Sequence, residues 1–275
     1  MSLAGKLAVT GLSDVGLHRS HNEDSIAKDP ELGLVVLADG MGGYRAGEVA
    51  SGIAVNVVME QIRKGLGSMR RGDVDQDSGL YRESLLVRDA IDQANQAIFR
   101  TAKRQPQCKG MGTTIVAVLF FDDRAAVAHV GDSRVYRLRG ETLEQMTADH
   151  SLLQELVDKG FYTPEEARES PNKNLVTRAI GIEAAVSMDI QEFPVETGDI
   201  FLLCSDGLSD FVTDDTIRLT LRGCGDNLDE AASQLVAKAN ENGGKDNISV
   251  VLARAVKPFP ISKESWYSRL LGWFD

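Results

Sequence analysis

The sequence predicts an α+β fold: two antiparallel sheets packed face to face, with helices on the outside. Three observations lead there. Short apolar runs rich in Val and Ile recur along the chain. Several are joined by tight turns such as "DDR" and "ETGD", too short for helical crossovers, so those neighbours pair antiparallel. The amphipathic helical stretches are segregated from the blocks of strands.

Strands are expected at 7–11 ("LAVTG"), 32–39, 113–121, 125–132, 134–140, 186–195, 199–206 and 247–255. The stretch 46–65 reads as a helix with Val49, Ile53, Val57 and Ile62 near one face. Residues 81–104 form a second, through Leu85, Ile91 and Ile98. A third, 227–244, has Asn227 as its N-cap, acids in its first turn and glycines past its end. Between the first two helices, 65–80 is rich in Gly and charge and is expected to be a mobile connection. The segment 149–181 is inserted between strand pairs, an arrangement that often forms a flap over a site. The tail carries Trp266, Tyr267, Leu270, Leu271, Trp273 and Phe274, which are expected to pack on the sandwich. The domain therefore runs over 1–256 and the tail over 257–275.

Composition narrows the function. The chain has 275 residues, 43% hydrophobic and 26% charged, an ordinary globular mix. A net charge of −11 disfavours nucleic acid, which needs clustered Lys and Arg. Cys108, Cys204 and Cys224 match no metal knuckle and point to a reduced, cytoplasmic compartment. No long apolar run suggests a signal peptide or a transmembrane helix. A monomer is expected.

The acids at the ends of apolar runs carry the chemistry. "HNEDS" gives Glu23 and Asp24, "ADGMGG" Asp39, "VGDSR" Asp132, "SDGLSD" Asp206 and Asp210, and "GKDN" Asp246. Any one Asp-Gly is ordinary turn chemistry. Their recurrence at strand edges is not, because converging carboxylates repel unless a cation neutralises them. An all-oxygen set favours Mg²⁺ or Mn²⁺. Glycine after Asp39 leaves the Gly40 carbonyl bare enough to join the ligands. No D-x-D-x-D-G loop suggests a structural Ca²⁺ site, and no cysteine opens a Cys-x₅-Arg loop.

"RSHNEDS", "LADGMGG", "GMGTTIVAV", "HVGDSRVYRL", "DHSLLQELVDKG", "VTRAIG", "LLCSDGLSD" and "KDNISVVL" resemble the metal-dependent PP2C-type (PPM) protein serine/threonine phosphatases, most closely the bacterial Stp/PstP-like branch. The resemblance runs from about Gly11 to Ala255. It implies a PP2C-like four-layer αββα sandwich with a binuclear metal centre at one edge. It implies that Asp39 bridges two ions, that Asp206 and Asp246 complete one shell, and that Glu23 and the Gly40 carbonyl hold the other ion. Asp24 would orient a metal-bound water, and Arg19 would grip the substrate phosphate. Asp132, with Asp206 and Asp210, matches a third metal site of bacterial relatives, and 149–181 matches their flap. Hydrolysis would then proceed by attack of a metal-bridging hydroxide on phosphoserine or phosphothreonine, opposing a bacterial Ser/Thr kinase on itself or its substrates. One departure stands out: some members have His after Asp-Gly as a general acid, and this chain has Met41. His129 reads as a core residue, and His150, just before the flap, as a helix-start residue.

Overall fold

The structure is a computed structural model that describes residues 3–42, 46–69, 72–163, 166 and 175–259. Its strands are β1 (Leu7–Asp14), β2 (Asp24–Asp29), β3 (Leu34–Met41), β4 (Gly112–Thr113), β5 (Ile115–Phe121), β6 (Arg124–Val130), β7 (Arg134–Arg139), β8 (Thr142–Gln145), β9 (Asp189–Pro194), β10 (Ile200–Cys204) and β11 (Ile248–Ala255). Its helices are α1 (Ala46–Ser68), α2 (Arg82–Arg104), α3 (Leu152–Asp158), α4 (Asp206–Ser209), α5 (Asp214–Cys224) and α6 (Leu228–Glu241). One sheet runs β1-β11-β10-β7-β8 and the other β2-β3-β5-β6-β9, with β4 on β3. Every pairing is antiparallel.

Alternation along the strands builds three apolar layers. In β3, Val35 and Leu37 face the other sheet, where they meet Phe201, Leu203, Val251 and Ala253. Their neighbours Leu34, Val36 and Ala38 face the opposite way and pack beneath α1 and α2. Across the molecule, Leu202, Val250 and Leu252 pack beneath Ile217 of α5 and Leu235 of α6. Strands buried on both faces must be apolar throughout, which is why they read as unbroken runs in the sequence. The result is the expected α-β-β-α sandwich.

Several boundaries differ from expectation. Strand β2 carries charge and is only partly buried, so no apolar run announced it. Strand β8 (TLEQ) is an exposed edge, and α5 buries only Ile217, Thr220 and Leu221. The run 125–132 stops at Val130, since Gly131 turns the chain with φ +108°. The run 199–206 stops at Cys204, and Asp206 opens the one-turn α4. Helix α1 buries the stripe Ala50, Ala54, Val58 and Ile62, whereas Val49 is exposed and Ile53 and Val57 are partly buried. Small side chains on that stripe let the helix lie close to β3 and α2. The 65–80 connection is shorter than predicted: α1 runs to Ser68, and Asp75 N–H to Leu80 O (2.9 Å) closes a turn. Asn227 does cap α6, accepting from Glu230 N–H at 3.2 Å. Of the tail, Phe259 packs its ring on Phe120 in the inter-sheet core, while Trp266 to Phe274 lie outside the described residues. Among the described residues no helix is long and apolar enough to cross a membrane.

Candidate metal centre

Antiparallel pairing sets the ends of several strands at one edge of the sandwich. Asp24 opens β2 and Asp39 nears the end of β3, and the two are direct cross-strand partners. Asp132 follows β6, Asp206 follows β10 and Asp246 precedes β11. A cleft of about 290 Å³ opens there, lined by Arg19, Glu23, Asp39, Gly40, Asp132, Asp206 and Asp246, together with Met41, Thr114, Val176 and Asn247. Asp24 lies buried just behind it, and Asp210 does not line it.

The carboxylates are arranged against their own electrostatics. Like charges directly opposite on paired strands destabilise a sheet, yet Asp24 and Asp39 occupy that arrangement. Burial pushes Asp39 well above the usual carboxylate range, and the charges of Asp24, Asp206, Asp132 and Asp246 add to it. Asp206 is raised likewise, by burial and then by Asp132, Asp246, Asp210 and Asp24. Burial raises Asp24 and Asp132 each to about 6, and raises Glu23 in spite of Arg19. Asp24 Oδ1 and Asp206 Oδ1 are buried without any hydrogen-bond partner. An all-oxygen cluster with orphaned acceptors and suppressed ionisation fits a hard divalent cation, whose charge removes both penalties.

Neutral residues hold this cluster in place, and sequence reasoning did not single them out. Thr114 Oγ1 accepts from Asp39 N–H (3.0 Å), and Thr113 Oγ1 donates to Asp39 O (2.7 Å). Ser205 and Ser249, from the other sheet, donate to Asp24 Oδ2 at 3.0 and 2.6 Å. Asn247 Oδ1 accepts from Glu23 N–H (2.8 Å), while its Nδ2 donates to Val15 O and His21 O (both 3.0 Å). The only signal for these residues was their position inside the quoted motifs. Because Asn247 closes the loop that carries Arg19, Asn247→Ala is expected to cost about 2–4 kcal/mol. It should also raise KM for a phosphopeptide. A denaturant midpoint and steady-state kinetics check the two parts.

Glycine at position 40 has a further reason beyond a bare carbonyl. A Cβ there would sit 2.2 Å from Gly47 O and 2.5 Å from Glu23 O. Gly40 therefore lets the start of α1, the end of β3 and the Glu23 peptide meet. Arg19 reaches the cleft through one nitrogen, Nη2, bonded to Asp246 Oδ2 at 2.7 Å, with its side chain 48% exposed. Arg134 binds Asp149, through Nη2 at 2.7 Å and Nε at 2.9 Å, while its charge also acts on Asp132. Among the described residues no histidine or cysteine lines the cleft. Burial pushes the Cys204 thiol up to about 12, which leaves it no nucleophile.

A second group, His129, His150 and Asp189, brings its polar atoms within 4.8 Å of one another. Its hydrogen bonds argue against a cation. Gly131 N–H donates into His150 Nδ1 at 3.1 Å, and the Arg178 guanidinium stands 3.2 Å from Nε2, so both ring nitrogens are already engaged. Neither nitrogen of that ring is free for a cation, and the Arg178 charge beside it repels one. The group is a hydrogen-bonded clasp.

Fold and site together define an α-β-β-α sandwich with a divalent-cation cleft at one edge. The model of the family described as protein phosphatase 2C matches residues 18–247, and the chain belongs to that family. It is 37% identical over 243 residues to the serine/threonine phosphatase stp of Listeria welshimeri, covering 87% of this chain and 92% of that one. It is 41% identical over 245 residues to the serine/threonine protein phosphatase PstP of Mycobacterium tuberculosis, covering 89% of this chain but 44% of that longer protein. The crystal structure of the Mycobacterium tuberculosis phosphatase PstP/Ppp superposes with a TM-score of 0.80 at 38% identity, over 91% of this chain and 99% of that one. A structure of the PstP catalytic domain in complex with 2 manganese ions superposes with a TM-score of 0.77 at 38% identity, with the same coverage.

Proposed function

We propose that this chain hydrolyses phosphoserine and phosphothreonine on proteins, using two divalent cations, Mn²⁺ or Mg²⁺, in the acidic cleft. The observation that carries this reading is the convergence of Glu23, Asp39, Asp132, Asp206 and Asp246 on one cleft, with an orphaned oxygen on Asp206. Asp39 would be shared between the ions, Asp206 and Asp246 would hold one, and Glu23 with the Gly40 carbonyl would hold the other. When bound, the ions supply the positive charge this cluster lacks and activate a water as nucleophile. Asp24 has one oxygen fixed by two serines and keeps Oδ1 to orient that water. Asp132 and Asp206, with Asp210 alongside, would hold a third ion more weakly.

Arg19 spends only one of its nitrogens on Asp246, so the rest of its fork can bind phosphate oxygens. Met41 offers no proton, so the leaving serine or threonine oxygen takes its proton from water. The family match and the close of the sandwich at Ala255 support one phosphatase domain over 1–256, with a flap at 149–181 and a tail from 257. The cellular partner on this reading is a Ser/Thr kinase or its substrates, met in the cytoplasm by a monomeric enzyme.

Exhaustive chelation is expected to abolish turnover of a phosphothreonine peptide and of p-nitrophenyl phosphate, and added Mn²⁺ to restore both. Full turnover in protein shown by elemental analysis to be metal-free would overturn the reading. Arg19→Ala is expected to raise KM for the peptide and slow turnover. Losing charge-assisted bonds of about 1.5–3 kcal/mol lowers kcat/KM by about 10- to 100-fold. Unchanged kcat and KM would show that Arg19 does not touch phosphate.

A further inference from the structure

His150 is buried at the foot of the flap insert, yet it does not line the cleft. Its backbone and its ring hold the same residue from two sides. His150 N–H donates to Gly131 O at 2.9 Å, and Gly131 N–H donates to His150 Nδ1 at 3.1 Å. Gly131 immediately precedes Asp132. On its other side Gly131 is pressed against Thr114, where a Cβ would come within 2.6 Å of the threonine methyl. Thr114 in turn holds the Asp39 peptide and the Ser133 hydroxyl (2.7 Å). The Asp132 turn is thus clamped between a residue tied to Asp39 and His150.

The same residue is tied to the returning limb of the insert. Thr177 N–H donates to His150 O (2.8 Å), Leu152 N–H donates to Leu175 O (2.9 Å), and Ser151 pairs with Val176. Val176 is part of the cleft wall. The ring cannot swing free: it stacks on His129 with centroids 4.5 Å apart, and His129 Nε2 donates to Ala148 O at 2.8 Å. Its outer nitrogen lies 3.2 Å from Arg178 Nη1 and 3.5 Å from Asp189 Oδ2, and Arg178 donates to Asp189 Oδ1 at 3.4 Å.

We propose that His150 is a positioning residue that joins the Asp132 turn and the returning limb of the flap into one unit, so that Asp132 and the Val176 wall are set together. The inference rests on the proposed metal role of Asp132. It assigns His150 no proton transfer, since Nδ1 is occupied by Gly131 and Nε2 is held between Arg178 and Asp189.

Two substitutions separate the ends of the ring. In His150→Asn the amide oxygen takes the place of Nδ1 and can still accept from Gly131. In His150→Gln the amide takes the place of Nε2 and the Gly131 bond is lost. Both are compared with Asp132→Ala and with the double variant His150→Gln/Asp132→Ala. Mn²⁺ binding is followed by calorimetry, kcat/KM by a phosphothreonine peptide and by p-nitrophenyl phosphate, and folding by thermal melting in chelator. His150→Gln is expected to weaken the weakest class of Mn²⁺ site and to lower peptide kcat/KM by about tenfold, the usual effect of removing a group that orients a ligand. His150→Asn should stay within about twofold of wild type, and His150→Gln should add nothing to Asp132→Ala. Multiplying losses in the double variant, or a tenfold loss in His150→Asn, would overturn the proposal. If His150→Gln does not fold, the Asn variant decides alone by the same threshold. Unchanged metal binding and rates in Asp132→Ala would instead sink the role of Asp132, a result distinct from additivity with a functional Asp132.

Discussion

Asp39→Asn is expected to lower kcat by at least about 100-fold while leaving the protein folded. Removing a group that merely orients a metal ligand costs 10- to 100-fold, and Asp39 is the central ligand itself on this reading. Four neighbouring acids, Asp24, Asp206, Asp132 and Asp246, raise its carboxyl, as four raise that of Asp206. The substitution spares the scaffold because the bonds from Thr113 and Thr114 go to the Asp39 peptide, not to its side chain. Asparagine keeps the shape and deletes the charge, so the loss reports on the charge. Asp206→Asn should behave alike. Asp246→Asn should add a rise in KM, because it also loosens Arg19. Calorimetric Mn²⁺ titration together with kcat on p-nitrophenyl phosphate checks all three. An Asp39→Asn enzyme within fivefold of wild type, with its full metal complement, would remove Asp39 from the centre.

The parts of this molecule that were legible in its sequence share a physical trait. Strands such as β5 and β10 are buried on both faces, so nothing polar interrupts them. Elements at the margins were hidden for the opposite reason. Strand β2 is an edge with one fully buried residue, β8 has none, and α5 is mostly polar. At the site the acids were readable because a carboxylate beside a strand end is conspicuous when it recurs. Their supports were not, because Thr114, Asn247, Ser205 and Ser249 are residue types found in any turn or strand. Only three-dimensional pairing shows that Ser249 of one sheet meets Asp24 of the other. The face of α1 was misjudged at its start, where Val49 lies toward solvent and Ala50 and Ala54 toward the core, next to the close approach at Gly40 and Gly47. His150 could be placed at a helix start, but its grip on Gly131 depends on a contact across 19 positions of sequence.

The same cluster should make the metal-free protein pay for its function in stability, and Asp24→Asn exposes the cost. Asp24 is raised to about 6 in the folded protein, chiefly by burial, against 3.8 for an ordinary aspartate. Below about pH 4 both states hold the proton and the group is neutral to folding. As pH rises through that window, the unfolded chain releases its proton first, so the folded state loses stability until Asp24 has ionised at about 6. Asparagine avoids this, and its oxygen still accepts from Ser205 and Ser249. In chelator at pH 7.5 the variant should therefore melt roughly 5–10 °C above wild type, from about 2–3 kcal/mol. The gain should shrink as pH falls and be gone near pH 4. Comparing the two proteins at each pH cancels His129 and His150, which are buried neutral and weaken both on acidification. Saturating Mn²⁺ should reverse the order at pH 7.5, because the ions stabilise the charged cluster of the wild type more. Thermal melts of both proteins from pH 4 to 7.5, with chelator and with Mn²⁺, test this directly. A variant that melts below wild type in chelator at pH 7.5 would show that Asp24 is stabilised by its serines more than it is penalised by burial.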